Sequence, residues 1–459
     1  MEAVAIRFPH DALAKLRHRL LDDLQHEQFA MLLGKTHVCG EHVVVTVHEA
    51  KYPAPEDYRH QSLTAVSPKK DFVYRVLVEA QRRLDVDTVI DVHTHPFTEA
   101  AWFSGTDDND ERQFCRYLQE TVGGMGYGSI VLSRAAYKAR MWQVANNKPV
   151  QRRACLKTQT ASEAVPEESP TEKVQEVSDL THVQSRSALA LGLDTLRRIT
   201  AGQFVVLAGV GGLGSVMAEH LVHQGFGHIG LIDPDRLEAS NLNRFVGAGH
   251  ADAQENRLKV EVVAEHLKRI NPDVTTEILA ADVQSKDAEH MFARADWILV
   301  STDNHSSRYA VQKAALQYFV PIISAGVNIT VNNNAGNMQL VDRSGEIIVV
   351  RAGDGYCLNC LGRINHARVA AEIHPDPHVR DKTVANGYVQ GLDVKEPAVK
   401  TLNSIIGSLA VECLVDQYRR EATHEPIVIY ESHNGPCLYP DRDSFERLEL
   451  GCSACSNTS

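Results

Sequence analysis

A five-residue apolar run, Phe204–Ala208, ends at four glycines packed into six positions: Gly209, Gly211, Gly212 and Gly214. An amphipathic segment then runs from Ser215 to about Phe226. An apolar run this short and this continuous is a strand buried on both faces, and such strands belong to parallel sheets covered by helices. Glycine lets the backbone come against a ligand, and the start of a helix offers unpaired N–H groups to an anion. A second strand, His228–Ile232, leads into Asp233, nineteen residues beyond Gly214, where an acid reaches a ribose hydroxyl. Strand, glycine turn, helix, strand and acid predict a nucleotide site in a doubly wound α/β sheet. Taken alone, the glycines fit a dinucleotide dehydrogenase or a structural turn as well.

The next residues separate these readings. Asp235 and the string Ser240–Arg244 (S-N-L-N-R) follow, then a helix bearing Arg257 and Lys259. Trp297–Ser301 reads as a buried strand running into Thr302, Asp303 and Asn304, and Val320–Ala325 as another, ending at Gly326. Ligands of such a sheet sit beyond the carboxyl ends of its strands. The chemistry suggested is adenylation, in which a carboxylate attacks the α-phosphorus of ATP and pyrophosphate leaves. That reaction needs cations around a triphosphate (Arg244, Lys259), an acid for Mg²⁺ (Asp303) and an acid for the ribose (Asp233). Hydride transfer needs no such set.

A different constellation stands near the N-terminus. Thr88–Val92 reads as a strand entering His93-Thr94-His95-Pro96, with Ser104 and Asp107 following as S-G-T-D. Histidines at i and i+2 on an extended segment point the same way and can share one ion. Asp107 makes a third ligand, leaving an open position for a water whose pKa a zinc ion lowers toward ~7. Glu27 is the candidate to take that water's proton and pass it to a leaving amine, and Ser104 to donate to the oxyanion. Asp108 and Asp110 read as a solvated acidic loop.

Two domains and a linker follow: residues 1–150, a polar, proline-bearing linker over 151–182, and residues 183–459. Nine cysteines include Cys357-x-x-Cys360 and Cys452-x-x-Cys455, two halves of a four-cysteine zinc centre, with a redox pair as the alternative. With 47 basic against 59 acidic residues the net charge is −12, which argues against a nucleic-acid or membrane-surface partner. No run of about 18 apolar residues and no signal pattern is present, so the expected location is the cytoplasm.

The first constellation resembles the JAMM (MPN+) metalloproteases, which cut peptide or isopeptide bonds after ubiquitin-like C-termini; Glu27, His93, His95, Ser104 and Asp107 carry the likeness over about residues 1–145. The second resembles the ThiF/MoeB/HesA family, bacterial relatives of ubiquitin-activating enzymes, over about residues 183–459. Its matches are Gly209–Ser215, Asp233 and Asp235, Ser240–Arg244, Lys259, Thr302–Asn304 with Arg308, and both cysteine pairs. The resemblance implies a homodimer in which Arg186 reaches the partner's ATP, and it places Asn241 on the nucleotide. It implies a JAB/MPN α/β domain joined to a Rossmann-like adenylation domain, using ATP, Mg²⁺ and two Zn²⁺, one catalytic and one structural. The implied partner is a ubiquitin-like or sulfur-carrier protein with a C-terminal glycine. A short peptide, a cofactor precursor or an inactive scaffold binding such a protein are the alternatives. One departure stands out: residues 361–412 lack the cysteine that some relatives use as a nucleophile. Cys413 reads as core filling and Cys437 as a loop residue, so an acyl adenylate is expected without a stable thioester on the chain.

Overall fold

Strands of the N-terminal half pair edge to edge until no edge is left open, as a sheet must when nothing else covers its rims. The strands in chain order are β1 (Val4–Arg7), β2 (Phe29–Cys39), β3 (His42–Lys51), β4 (Tyr58–Gln61), β5 (Val66–Pro68), β6 (Thr88–His95), β7 (Gly126–Ser133), β8 (Tyr137–Ala145) and β9 (Lys148–Lys157). All but β4 and β5, which form a separate pair, close a barrel in the order β1-β3-β2-β6-β7-β8-β9. The computed structural model describes residues 4–145, 148–159, 184–334, 337–376, 378, 397–419, 425–446, 448, 452 and 454–455. The chain divides into two units, Met1–Glu176 and Val177–Ser459.

Three helices accompany the barrel: α1 (Ala12–Leu21), α2 (Lys70–Arg82) and α3 (Gly105–Thr121). Leu13, Leu16 and Leu20 of α1 join a core with Ile90 and Val92 of β6. Phe72, Val76 and Leu77 of α2 and Leu118 of α3 join a second core with Val89 of the same strand. Period-2 alternation therefore turns the odd-numbered residues of β6, His93 and His95 among them, toward the α3 side.

The expected linker begins too early. Gln151–Lys157 lies within β9, paired with both β8 and β1. Backbone hydrogen bonds from two neighbours hold a strand whose side chains are mostly polar and whose one fully buried residue is Ala154. The linker stretch 160–182 lies outside the described residues. Asp108 and Asp110 are in the first turns of α3, not in a loop, because Ser104 caps that helix.

In the second unit α4 (Ser185–Leu191) and α5 (Leu193–Thr200) lead into β10 (Phe204–Ala208), α6 (Gly212–Gln224) and β11 (His228–Ile232). Then come α7 (His250–Gln254), α8 (Lys259–Ile270), β12 (Thr275–Leu279), α9 (Lys286–Arg294), β13 (Trp297–Val300) and α10 (His305–Tyr318). The sheet continues with β14 (Ile322–Asn334), β15 (Asn337–Val350), β16 (Ile427–Glu431) and β17 (Cys437–Pro440); α11 (His366–Glu372) and the Lys400–Gln417 helix lie between β15 and β16 in sequence.

The order is β12-β11-β10-β13-β14-β15-β16-β17, parallel from β12 through β14 and antiparallel beyond. All five residues of β10 are buried. Chain order reverses at β10, since β11 lies on one side and β13 on the other, and a crevice opens at such a switch point. β14 outruns the expected end at Ala325 because it pairs with β15 out to Asn334. Cys437 opens a strand and not a loop. Among the described residues no helix is long and apolar enough to cross a membrane.

Candidate functional site

At the switch point the glycines divide the work. Gly209 has a φ of +92°, which lets the chain turn out of β10. A Cβ on Gly214 would stand 2.1 Å from the Gly209 carbonyl oxygen, so only glycine lets α6 pack this close. Gly211 has nothing within 4 Å of its Cβ position, and it precedes α6 with no side chain capping the helix. The first N–H groups of α6 are thus left to an outside acceptor. α6 starts at Gly212, ahead of the Ser215 expected from the pattern.

Asp233, 6% exposed, accepts from the Val210 N–H at 2.7 Å and the Asp235 N–H at 2.9 Å, which fixes the carboxylate beside the turn. Burial raises its pKa, opposed by the nearby Lys259 charge. Lys259 starts α8, with Nζ 2.6 Å from Asp235 Oδ2 and 4.0 Å from Asp233 Oδ1. Arg244 donates to the Ser240 carbonyl and to Asn243 Oδ1, both at 2.9 Å, and its Cγ and Cδ lie 2.8 and 2.9 Å from the Gly212 Cβ position. The structure thus gathers Asp233, Asp235, Lys259, Arg244 and the glycine turn. Asn241 ends a short turn and accepts from the Glu238 N–H at 3.0 Å. Asp303 stands exposed just past β13, with Arg308 bonded to the carbonyls of Thr302 and Asp303 at 3.4 Å. Arg186 is exposed on α4.

In the first unit His93 Nε2 lies 3.7 Å from Asp107 Oδ1, and His95 Nε2 lies 3.9 Å from Glu27 Oε1. The two imidazole centroids are 5.4 Å apart. Ser104 and Asp107 form a capping box: the Ser104 N–H donates to Asp107 Oδ2 at 2.6 Å and the Asp107 N–H to Ser104 Oγ at 3.2 Å. One carboxylate oxygen starts the helix and the other faces His93. Burial pulls His93 down to about 4 and also lowers His95, which keeps both rings neutral, the form a metal binds. Burial, then the Asp107 charge, raises Glu27 to about 7. The donor types, two neutral imidazoles and a carboxylate beside a basic carboxyl, are those a catalytic zinc takes, but the donor atoms of His93, His95 and Asp107 do not all lie within 4.8 Å of one another. Phe97 and Trp102, both partly exposed, lie against the His95 ring.

Sequence reasoning missed the support behind this site. Arg140 of β8 donates to Glu111 Oε2 at 2.7 Å and Asp108 Oδ1 at 2.5 Å, both on α3, and lies 3.7 Å over the Phe103 ring. Its signal was a cation set among Ala139, Met141 and Trp142, on the same strand as Lys138.

The Sγ atoms of Cys357 and Cys452 are 3.9 Å apart, those of Cys357 and Cys360 3.9 Å, and those of Cys360 and Cys455 4.0 Å. Four thiolates about 2.3 Å from one zinc stand about 3.8 Å from each other. Among the described residues this is the one group of three or more metal-ligand side chains whose donor atoms all lie within 4.8 Å. Burial, with the Cys360 charge adding, pushes Cys357 up to about 12, whereas backbone and side-chain hydrogen bonds outweigh burial at Cys452 and bring it down to about 7, so the cluster already holds one thiol that ionises readily. Cys413, expected in the core, is half-buried.

Residues 184–430 match the ThiF family, and residues 9–150 match the prokaryotic homologs of the JAB domain. The adenylyltransferase and sulfurtransferase uba4 of Emericella nidulans is 28% identical over 258 residues, covering 55% of this chain and 48% of its own length. That of Aspergillus terreus is 37% identical over 256 residues, covering 55% and 47%. The chain spans about half the length of the curated relatives it matches. The crystal structure of E. coli MccB with ATP aligns with a TM-score of 0.46 at 19% identity, over 61% of this chain and 76% of that one.

Proposed function

The chain belongs to the ThiF family and carries a JAB-type domain ahead of it, and from that premise we propose one enzyme with two activities on one small protein. The second unit adenylates the C-terminal glycine of a ubiquitin-like or sulfur-carrier protein with ATP. The first unit trims or deconjugates that same protein as a zinc peptidase.

The observation that carries the reading is the convergence of Asp233, Lys259 and Arg244 on the uncapped start of α6. The Asp233 carboxylate, fixed by two backbone N–H groups, keeps lone pairs for a ribose hydroxyl. A glycine carboxylate oxygen attacks the α-phosphorus, the bond to the bridging oxygen breaks, and pyrophosphate departs with the electron pair. Lys259 and Arg244 hold the departing charge. Asp303 would hold a Mg²⁺ ion, which would supply further neutralisation of the phosphates. Arg186 serves the neighbouring copy's nucleotide in a homodimer. A partner's thiol or sulfide then attacks the acyl carbon, the bond to the phosphate oxygen breaks and AMP leaves, since residues 361–412 offer no cysteine.

In the first unit His93, His95 and Asp107 would hold a zinc, which would supply a water of lowered pKa and Lewis-acid charge. Glu27 takes the proton and returns it to the leaving amine, for which a pKa of about 7 is suited. The Ser104 hydroxyl proton is free to meet the oxyanion while its oxygen caps α3. The test is carrier-dependent exchange of labelled pyrophosphate into ATP. D303A should abolish exchange and leave trimming of a glycine-extended carrier intact. No exchange with any glycine-terminated carrier defeats the adenylation half, and joint loss of both activities in D303A defeats the claim of independent sites.

A further inference from the structure

The helix Lys400–Gln417 packs along α6 where neither carries bulk: a Cβ on Gly407 would stand 2.8 Å from Val216 Cγ1. Four residues earlier on the same buried stripe is Asn403, 3% exposed among Leu402, Ile406 and Ala410. Its side-chain amide nitrogen lies 2.6 Å from the Cβ position of Gly212, the first residue of α6. The Arg244 stem presses on the same point from 2.8 Å. Asn243 Nδ2 donates to the Ala398 carbonyl at 3.2 Å, tying the entrance of this helix to the residue beside Arg244.

The Asn403 side chain makes no hydrogen bond to the described residues. Polar side chains this deeply placed are nearly always paired, and the Asn403 amide atoms are not among the unpaired atoms sealed from solvent, so they keep an opening through which a ligand can reach them. Here the amide sits at the wall of a turn whose own N–H groups are uncapped and whose neighbour Gly211 faces open space. What these donors share as an acceptor is an anion at the start of α6.

We infer that Asn403 is a nucleotide-binding residue whose amide donates to a phosphoryl oxygen held between the α6 N-terminus and Arg244. The inference rests on the adenylation reading and adds to it a neutral donor from a helix some 190 residues along the chain from the turn. A neutral amide adds a hydrogen bond without repelling Arg244.

The experiment uses the full chain, a non-hydrolysable ATP analogue with Mg²⁺, and titration calorimetry, with no carrier present. N403L keeps the branched shape, with slightly more bulk, and removes the amide. A residue that merely fills space would tolerate leucine with its nucleotide affinity unchanged. The expected result is an unchanged or higher Tm with affinity about ten- to a hundredfold weaker, the range for one hydrogen bond to a charged group. N403D should bind more weakly still, because its carboxylate faces phosphate. If N403L does not fold, N403A is read by the same criterion. Affinity within about twofold of the wild type in a folded variant overturns the inference while the adenylation reading survives. A wild type that binds no nucleotide removes both at once.

Discussion

Replacing Arg140 by methionine tests how the first unit holds its site together. The side chain is 6% exposed and ties β8 to α3 at Glu111 and Asp108, on the turn that carries Asp107. Methionine keeps most of the stem and removes the charge. The Asp108 contribution is small, since that carboxylate is 45% exposed. Glu111 is 5% exposed and would keep the Trp142 Nε1 donor at 2.7 Å and the nearby Ser129 hydroxyl but no cation, with buried Asp91 raised to about 7 by burial and by the Glu111 charge. Removing one partner of a buried pair costs about 3–5 kcal/mol. Hydrogen exchange in the full chain reads this as protected amides of β6 and β7 exchanging about a hundredfold to a few thousandfold faster, at about 1.4 kcal/mol per tenfold. Burial already raises Glu111 against the opposing pull of Arg140, and without Arg140 it rises further. A carboxyl whose folded pKa exceeds its unfolded value of about 4.3 binds its proton more tightly when folded. The deficit of R140M relative to the wild type therefore grows as pH climbs from the wild type's already raised Glu111 value through the still higher one of the variant, and shrinks toward acid. R140M/E111Q should regain most of the loss. A deficit below about 1 kcal/mol, or a double variant no better than the single, refutes the reasoning.

Gly214→Ala drives a methyl to 2.1 Å from the Gly209 carbonyl, so Tm should fall by an amount equivalent to about 1–3 kcal/mol and the ATP-induced rise in Tm should vanish. Gly211→Ala meets nothing within 4 Å and should keep its Tm while losing the same nucleotide response; equal melting of the two variants would contradict the division of roles. Cys360→Ser should lower bound zinc by about one per chain and free the remaining three thiols to a thiol reagent; unchanged metal content would remove the structural zinc. Glu27→Gln should keep its zinc and lose at least about a hundredfold in trimming kcat, with pyrophosphate exchange untouched; trimming within a few-fold of wild type would assign the proton transfer elsewhere.

What could be read in advance is what short-range spacing decides. The apolar run before Gly209 can only be a buried strand, and His93 and His95 share a face because strands alternate. The string Ser104-x-x-Asp107 is legible twice over, since one carboxylate both closes a capping box and faces His93. Composition misled at β9, because a strand paired on both edges needs few apolar side chains of its own. Arg140 with Glu111, 29 residues apart, and Asn403 with Gly212 depend on partners that no local pattern names.

This contrast also sorts the outcomes of mutation. Residues found by spacing, such as Glu27, Asp233 and Lys259, project from element ends toward a ligand, so changing them should alter chemistry more than folding. Arg140, found only in three dimensions, bridges distant segments, so changing it should alter folding more than chemistry. Asn403 belongs to the second group by its position and to the first by its behaviour: it is remote in sequence and deeply buried, yet its amide bonds to none of the described residues. A deeply placed amide that bonds to none of the described residues is suited to something bound. That is why a leucine there should leave the protein standing and the nucleotide loose.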